Sequence, residues 1–212
     1  MTAGRFITFE GGEGAGKSTQ ARMLADWLEA RGIALVQTRE PGGTPGAEAI
    51  RALLLDPQGE DWPLEAEALL FAAARADHVA RLIRPALAAG KWVICDRFID
   101  STRAYQGGEG SLSDADILAL HQTGSGGLLP DLTVLITVDD TETAKRLAAR
   151  DGDESDRIGG RSAQFHTKVA RRFTEMAKAE PDRFVTISGA GSPQEVHQRV
   201  IEAVSARLGE LA

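Results

Sequence analysis

Lys17 and Ser18 close the stretch Gly11-Gly12-Glu13-Gly14-Ala15-Gly16-Lys17-Ser18, which fits G-x-x-x-x-G-K-[ST] at every defined position. Glycines at this spacing let successive backbone N–H groups turn inward around a phosphate. A lysine in this place reaches the β- and γ-phosphates of a nucleoside triphosphate, and the hydroxyl after it is a ligand for Mg²⁺. Residues 11 to 19, Thr19 included, are therefore the candidate nucleotide-binding loop, with Lys17 as a candidate catalytic residue. The second half of such a site is an acid at the end of a buried strand. Asp96 follows Trp92-Val93-Ile94-Cys95 and can hold Mg²⁺ through water. Asp139 also ends an apolar run and is its rival; Arg97, directly after Asp96, favours Asp96, because the pair makes a metal ligand and a phosphate clamp side by side.

Arginine carries most of the positive charge: 19 Arg against 5 Lys. That bias matters where a planar fork must grip phosphate. Candidate loop arginines are Arg39, Arg97, Arg103, Arg150, Arg157 and Arg161. Residues 145–172 hold eight basic and four acidic side chains, a local +4 on a chain of net charge -7. Their non-periodic middle, about 150–160, reads as a short lid that closes arginines over polyphosphate. A phosphoryl acceptor that is itself an anion needs clamping of this kind and no general base. The guanine-reading string N-K-x-D is absent, which argues against a GTPase.

Elements must hold these residues in place. Strands are expected at 5–10, 34–38, 91–96, 132–138 and 183–187, each a short apolar or β-branched run. Helices are expected at 18 to about 31, through Ile50, Leu53 and Leu54, from about 65 to 89 with a bend near Pro85, and at 113–121, 141–150, 164–179 and about 193–211. Residues 97–110 read as loop with some helix. Strands alternating with helices predict an α/β fold, a three-layer sandwich with a five-stranded, mainly parallel sheet. At 212 residues the chain is expected to form a single domain, 1–212, with the lid inside it. The acidic balance argues against nonspecific nucleic-acid binding, no apolar run reaches membrane-spanning length, and the start does not read as a signal peptide. One cysteine, Cys95, fits a reducing, cytoplasmic setting. The four histidines have no metal-site spacing.

The sequence resembles the bacterial thymidylate kinases of the P-loop nucleoside monophosphate kinase superfamily. The resemblance runs from end to end and rests on Phe9 to Thr19, Thr38-Arg39-Glu40-Pro41-Gly42-Gly43-Thr44, Leu70-Phe71-Ala72-Ala73-Ala74-Arg75, Asp96-Arg97-Phe98 with Ser101 and Ala104-Tyr105-Gln106-Gly107, and Asp156-Arg157-Ile158. It implies transfer of the γ-phosphoryl of ATP to dTMP, with Mg²⁺, in dTTP synthesis, by a homodimer. By the same resemblance Phe71 stacks on the base, Arg75 bonds the base edge, and Arg97 contacts the acceptor phosphate. Tyr105 lies near the sugar C2′ and Glu13 near the 3′-hydroxyl. Ser101 and Thr102 line the base, while Pro41 sits in the loop that borders the acceptor pocket, often with a cis peptide before it; on its own residue type Arg39 is a candidate second holder of the acceptor phosphate beside Arg97. With Ala15 in the loop and Arg150 and Arg157 in the lid, the chain resembles the type whose catalytic arginine is in the lid. It departs from many relatives in carrying Gly159-Gly160 where they place an acid. A kinase of another nucleotide or nucleoside, or a non-catalytic P-loop protein, remains the alternative on the residues alone.

Overall fold

The computed structural model describes residues 4–56, 58–59, 62–108, 112–139, 143, 146 and 158–209. Five strands, β1 (Phe6–Glu10), β2 (Leu35–Arg39), β3 (Trp92–Asp96), β4 (Leu132–Thr137) and β5 (Phe184–Ser188), form one sheet in the order β2-β3-β1-β4-β5. Every pairing is parallel. The register sets Phe9 opposite Asp96 and Arg39 opposite Asp96 as well. The C-terminal ends of β1, β2 and β3 thus finish together, and β3 lies between the two strands that precede it in sequence.

Strand side chains alternate between two cores. Ile7, Phe9, Trp92, Ile94, Val134 and Ile136 face α1 (Lys17–Glu29), which supplies Leu24 and Leu28, and a C-terminal helix over Pro193–Leu208 that supplies Val200 and Val204. Phe6, Val93 and Cys95 face the other way, against Phe98, Ile99 and Ile117. Complete burial of one such Leu or Phe side chain stabilises by about 2–3 kcal/mol. This second side carries the remaining helices: α2 (Pro45–Leu55), α3 (Leu64–His78), α4 (Arg84–Ala88), α5 (Ile99–Tyr105), α6 (Asp114–Ser125) and α7 (Ala163–Ala179); the helix over Pro193–Leu208 is α8. A third core joins Tyr105, Ile158, Val169 and Phe173 between α5 and α7.

Caps fix the helix starts. Thr44 accepts the Ala47 N–H ahead of Pro45, while Ser113 and Ser192 close reciprocal boxes with Asp116 and Glu195. One expectation is refined. The bend near Pro85 is a π-turn over Val79–Ile83 that joins α3 to α4 without interruption. The Arg84 N–H reaches back to the Val79 carbonyl, so the helix widens one residue before a proline that has no N–H to offer. The helix expected within 97–110 is α5, with Glu10 accepting the N–H groups of Phe98 and Ser101 at its start. Positions 143 and 146 are helical as expected; the rest of 140–157 lies outside the described residues.

Candidate active site

The strand ends open into a cleft of about 570 Å³. On one side is the loop between β1 and α1. Gly11 has φ 141°, and a Cβ there would sit 2.3 Å from the Ile136 carbonyl oxygen, so only glycine lets the loop pass the end of β4. Gly16, at φ 93°, turns the chain into α1. Lys17 Nζ donates to the Gly12 carbonyl at 2.7 Å and is nearly buried. Burial, and then Arg97, pull its pKa down to about 8 against the carboxylates of Glu13, Asp96 and Glu10. Glu13 to Thr19 line the cleft, whereas Gly11 and Gly12 form the turn behind it.

The Ser18 hydroxyl donates to Asp96 Oδ2. The other carboxylate oxygen, Oδ1, is buried with no hydrogen-bond partner among the described residues. A hydroxyl, a carboxylate with a spare oxygen and an adjacent phosphate loop are the donor set of a Mg²⁺ that keeps most of its waters and takes phosphate oxygens. Among the described residues, no three acidic, His or Cys side chains form a metal-binding group of their own.

Arg97 is the centre of the opposite side. It is the one non-glycine residue with positive φ, 68°, among those described, and its backbone N–H is held by the Phe9 carbonyl at 2.9 Å. Nη1 donates to Ser101 Oγ at 3.0 Å and the Gly11 carbonyl at 3.3 Å; Nη2 donates to Glu13 Oε1 at 2.5 Å and the Tyr105 hydroxyl oxygen at 3.3 Å. Burial raises the Glu13 carboxyl, but Arg97 and Lys17 more than reverse it and hold its pKa at about 2. Burial pushes the Tyr105 hydroxyl up to about 12, so it stays a donor, and it donates to Glu13 at 3.2 Å. Behind them Ser101 Oγ donates to Glu10 Oε2 at 2.6 Å. Burial and then Asp100 push the Glu10 carboxyl up to about 7, against Arg97 and the donors that surround it.

All nine residues expected to bind an acceptor (Glu13, Arg39, Pro41, Phe71, Arg75, Arg97, Ser101, Thr102 and Tyr105) line this one cleft. Phe71 and Arg75 lie one turn apart on α3. The Glu40–Pro41 peptide is cis. Arg39 is exposed and also forks onto Glu48 at 3.0 and 3.2 Å. Two loop arginines are not brought to the cleft. Arg103 turns with α5 toward Asp100, Asp114 and Glu180. Arg161 pairs with the buried Glu67 of α3. Arg150 and Arg157 lie outside the described residues. The sequence reading overlooked Glu10, Glu40, Arg51 and Gln106, of which all but Glu10 line the cleft. The rule that singles out Asp96, an acid ending an apolar strand, also picks out Glu10; nothing local marks the other three. Arg146, counted only within the basic segment, lies over the phosphate loop and donates to the Gly189 carbonyl at 2.8 Å.

A parallel sheet of this order, with the glycine loop between β1 and α1 and Ser18 meeting Asp96 across the strand ends, defines a P-loop nucleotide kinase fold. The thymidylate kinase family model matches residues 9–200. The chain is 57% identical over 202 residues to the thymidylate kinase of Rhizorhabdus wittichii, covering 95% of this chain and 97% of that one. It is 52% identical over 211 residues to that of Rhodopseudomonas palustris, covering 99% and 92%. The crystal structure of thymidylate kinase from Ehrlichia chaffeensis superposes with a TM-score of 0.77 at 36% identity, covering 95% of this chain and 99% of that one. The chain belongs to the thymidylate kinase family.

Proposed function

We propose that the chain transfers the γ-phosphoryl group of ATP to dTMP, giving dTDP and ADP for dTTP synthesis. The carrying observation is an anion clamp and a flat aromatic in one cleft: Arg97, aimed by Glu13, Ser101 and Tyr105, lines the same cleft as Phe71, Arg75 and the phosphate loop. ATP lies on the loop of residues 11 to 19 with Lys17 at its terminal phosphates. The acceptor stacks its base on Phe71 with Ser101, Thr102 and Arg75 around it, sets its sugar against Tyr105 and Glu13, and gives its phosphate to Arg97, with Arg39 and Pro41 at the rim.

The acceptor oxygen is already anionic, so transfer needs alignment and charge stabilisation without a base. Ser18 and, through water, Asp96 would hold a Mg²⁺ ion, which would supply neutralisation of the negative charge on the transferring phosphoryl group. Lys17 and the loop N–H groups hold the phosphates in line with the acceptor, and Arg150 and Arg157 close over them from the lid at about 150–160, shutting out water. The work is done by one P-loop domain, in the cytoplasm, with no nucleic-acid partner. No described helix is long and apolar enough to cross a membrane. Exposed Leu53 and Leu69, on the mutually packed α2 and α3, support assembly as a homodimer.

The test is ADP release with Mg·ATP across dTMP, dUMP, dCMP, dGMP, AMP and thymidine. A strong preference for dTMP supports the reading; phosphorylation of thymidine but not dTMP, or ATP binding with no transfer to any acceptor, refutes it.

A further inference from the structure

At the acceptor half of the cleft Arg75 belongs to a buried ion cluster whose other members, Glu40 and His78, none of the steps above uses. Glu40 is 5% exposed, Arg75 2% and His78 0%. Glu40 Oε2 accepts from Arg75 Nε at 2.7 Å, and Oε1 is 2.9 Å from His78 Nδ1. The far side of that ring, Nε2, shares a 2.8 Å hydrogen bond with Thr38 Oγ1. Arg75 Nη2 is occupied by Thr102 Oγ1 at 2.9 Å and the Phe98 carbonyl at 3.3 Å. The cluster ties the end of β2 and the loop after it to α3 and to α5. Gly43 backs it: a Cβ there would meet Thr38 Oγ1 at 2.4 Å and His78 Nε2 at 2.7 Å, so the loop is packed as closely as a side chain of hydrogen allows.

One corner of the guanidinium is left over. Nη1 of Arg75 has no hydrogen-bond partner among the described residues, and Arg75 lines the cleft one turn along α3 from Phe71. With Nε and Nη2 both tied down, the plane of the group and the direction of its last two N–H bonds are set. Burying a charged pair is costly and contributes little to stability compared with apolar packing. What this pair provides is a fixed direction.

We propose that Glu40, locked in place by His78, is a positioning residue that determines acceptor-base specificity by holding Arg75 as an immobile hydrogen-bond donor in the base recess. A guanidinium donates and never accepts. Held rigidly, it pairs with a base edge that presents an oxygen, as thymine and uracil do. It sets donor against donor where cytosine presents its amino group. Released from Glu40, the same arginine can swing its Nη1 aside and the penalty on cytosine falls. The inference rests on the base-recess reading above and deepens it.

The experiment measures kcat and KM for dTMP, dCMP and ATP in Glu40→Gln, which keeps the shape but leaves one oxygen to serve both Arg75 and His78. We expect KM for dTMP to rise about tenfold, KM for ATP to stay within about twofold, and the dTMP:dCMP ratio of kcat/KM to fall at least about tenfold. An unchanged ratio, or equal losses for ATP and dTMP, overturns the proposal. If Glu40→Gln does not fold, His78→Gln serves: it withdraws the ring that fixes Oε1 while Glu40 and Arg75 remain, and an unchanged ratio there overturns it equally. Arg75→Lys separates the two levels. If that variant keeps the wild-type ratio, Arg75 does not read the base and the underlying reading fails. If it loses the ratio while Glu40→Gln and His78→Gln keep it, only the positioning role fails.

Discussion

Replacing Arg97 with lysine keeps a positive charge at the centre of the cleft and removes the planar fork that spreads it. In the structure the fork serves four acceptors: Gly11 and Ser101 from Nη1, Glu13 and Tyr105 from Nη2. A lysine brings three donors on a single atom and a shorter reach, so it can serve the Glu13 side or the Ser101 side but not both. The φ of 68° disfavours either side chain to the same degree, so the backbone term cancels. The loss is one charge-assisted hydrogen bond within the protein and one to the incoming phosphate, each about 1.5–2 kcal/mol, or about 3–4 kcal/mol in the productive complex. That is a fall of about 10²–10³ in kcat/KM for dTMP. KM for ATP should remain within about threefold, because the substitution keeps the charge at 97 and leaves every residue of the phosphate loop, Lys17 included, in the chain. Steady-state ADP release, titrated separately in dTMP and ATP, reads both quantities, and urea unfolding verifies that the variant is folded. A kcat/KM for dTMP within about fivefold of the parent, or a rise in KM for ATP matching that for dTMP, would refute the argument that Arg97 acts through its fork on the acceptor.

Three further outcomes follow from the same geometry. Glu13 has a pKa of about 2 in the folded chain against an ordinary 4.5, so its ionised form contributes stability above pH 4.5 that is lost as pH falls toward 2. The shift corresponds to about 3 kcal/mol, which partial exposure reduces to about 1–3 kcal/mol; Glu13→Gln should cost that much at pH 7 in denaturant titrations, and a deficit that does not shrink below pH 4.5 would contradict the assignment. Asp96→Asn should fold normally, since Oδ1 has no hydrogen-bond partner among the described residues, yet lose about 10²–10³ in turnover and need far more Mg²⁺, which a metal titration of the rate measures. Gly43→Ala forces a Cβ against Thr38 and His78 at φ 87°; we expect a loss of about 2–4 kcal/mol in urea unfolding, and a neutral result would show that the loop is not packed as described.

Much of the chemistry on the phosphate side was legible because it is local. Residues 6 to 19 are contiguous, so one stretch of sequence carries strand, glycine turn, lysine, hydroxyl and helix in fixed order. The acid at the end of β3 could be read by the same logic. Arg103 could not: six residues from Arg97, it reads as another clamp, but α5 is a helix and its i,i+3 geometry turns Arg103 onto Asp100 and away from the cleft. The π-turn over Val79–Ile83 also escaped a reading that knew only that Pro85 breaks a helical ladder.

By itself the sequence determined the phosphate-binding loop, the alternation of strands and helices, and the motifs that resemble one kinase family. These depend on nearest neighbours along the chain. Tertiary structure alone decided which charges meet. Glu13 reaches Arg97 because β3 inserts between β1 and β2 and sets Arg97, the residue after it, against the phosphate loop, and Glu40, directly after β2, meets Arg75 and His78 of α3. That insertion is set by how the two sides of the sheet bury their apolar faces, a property of the whole core that no single segment contains.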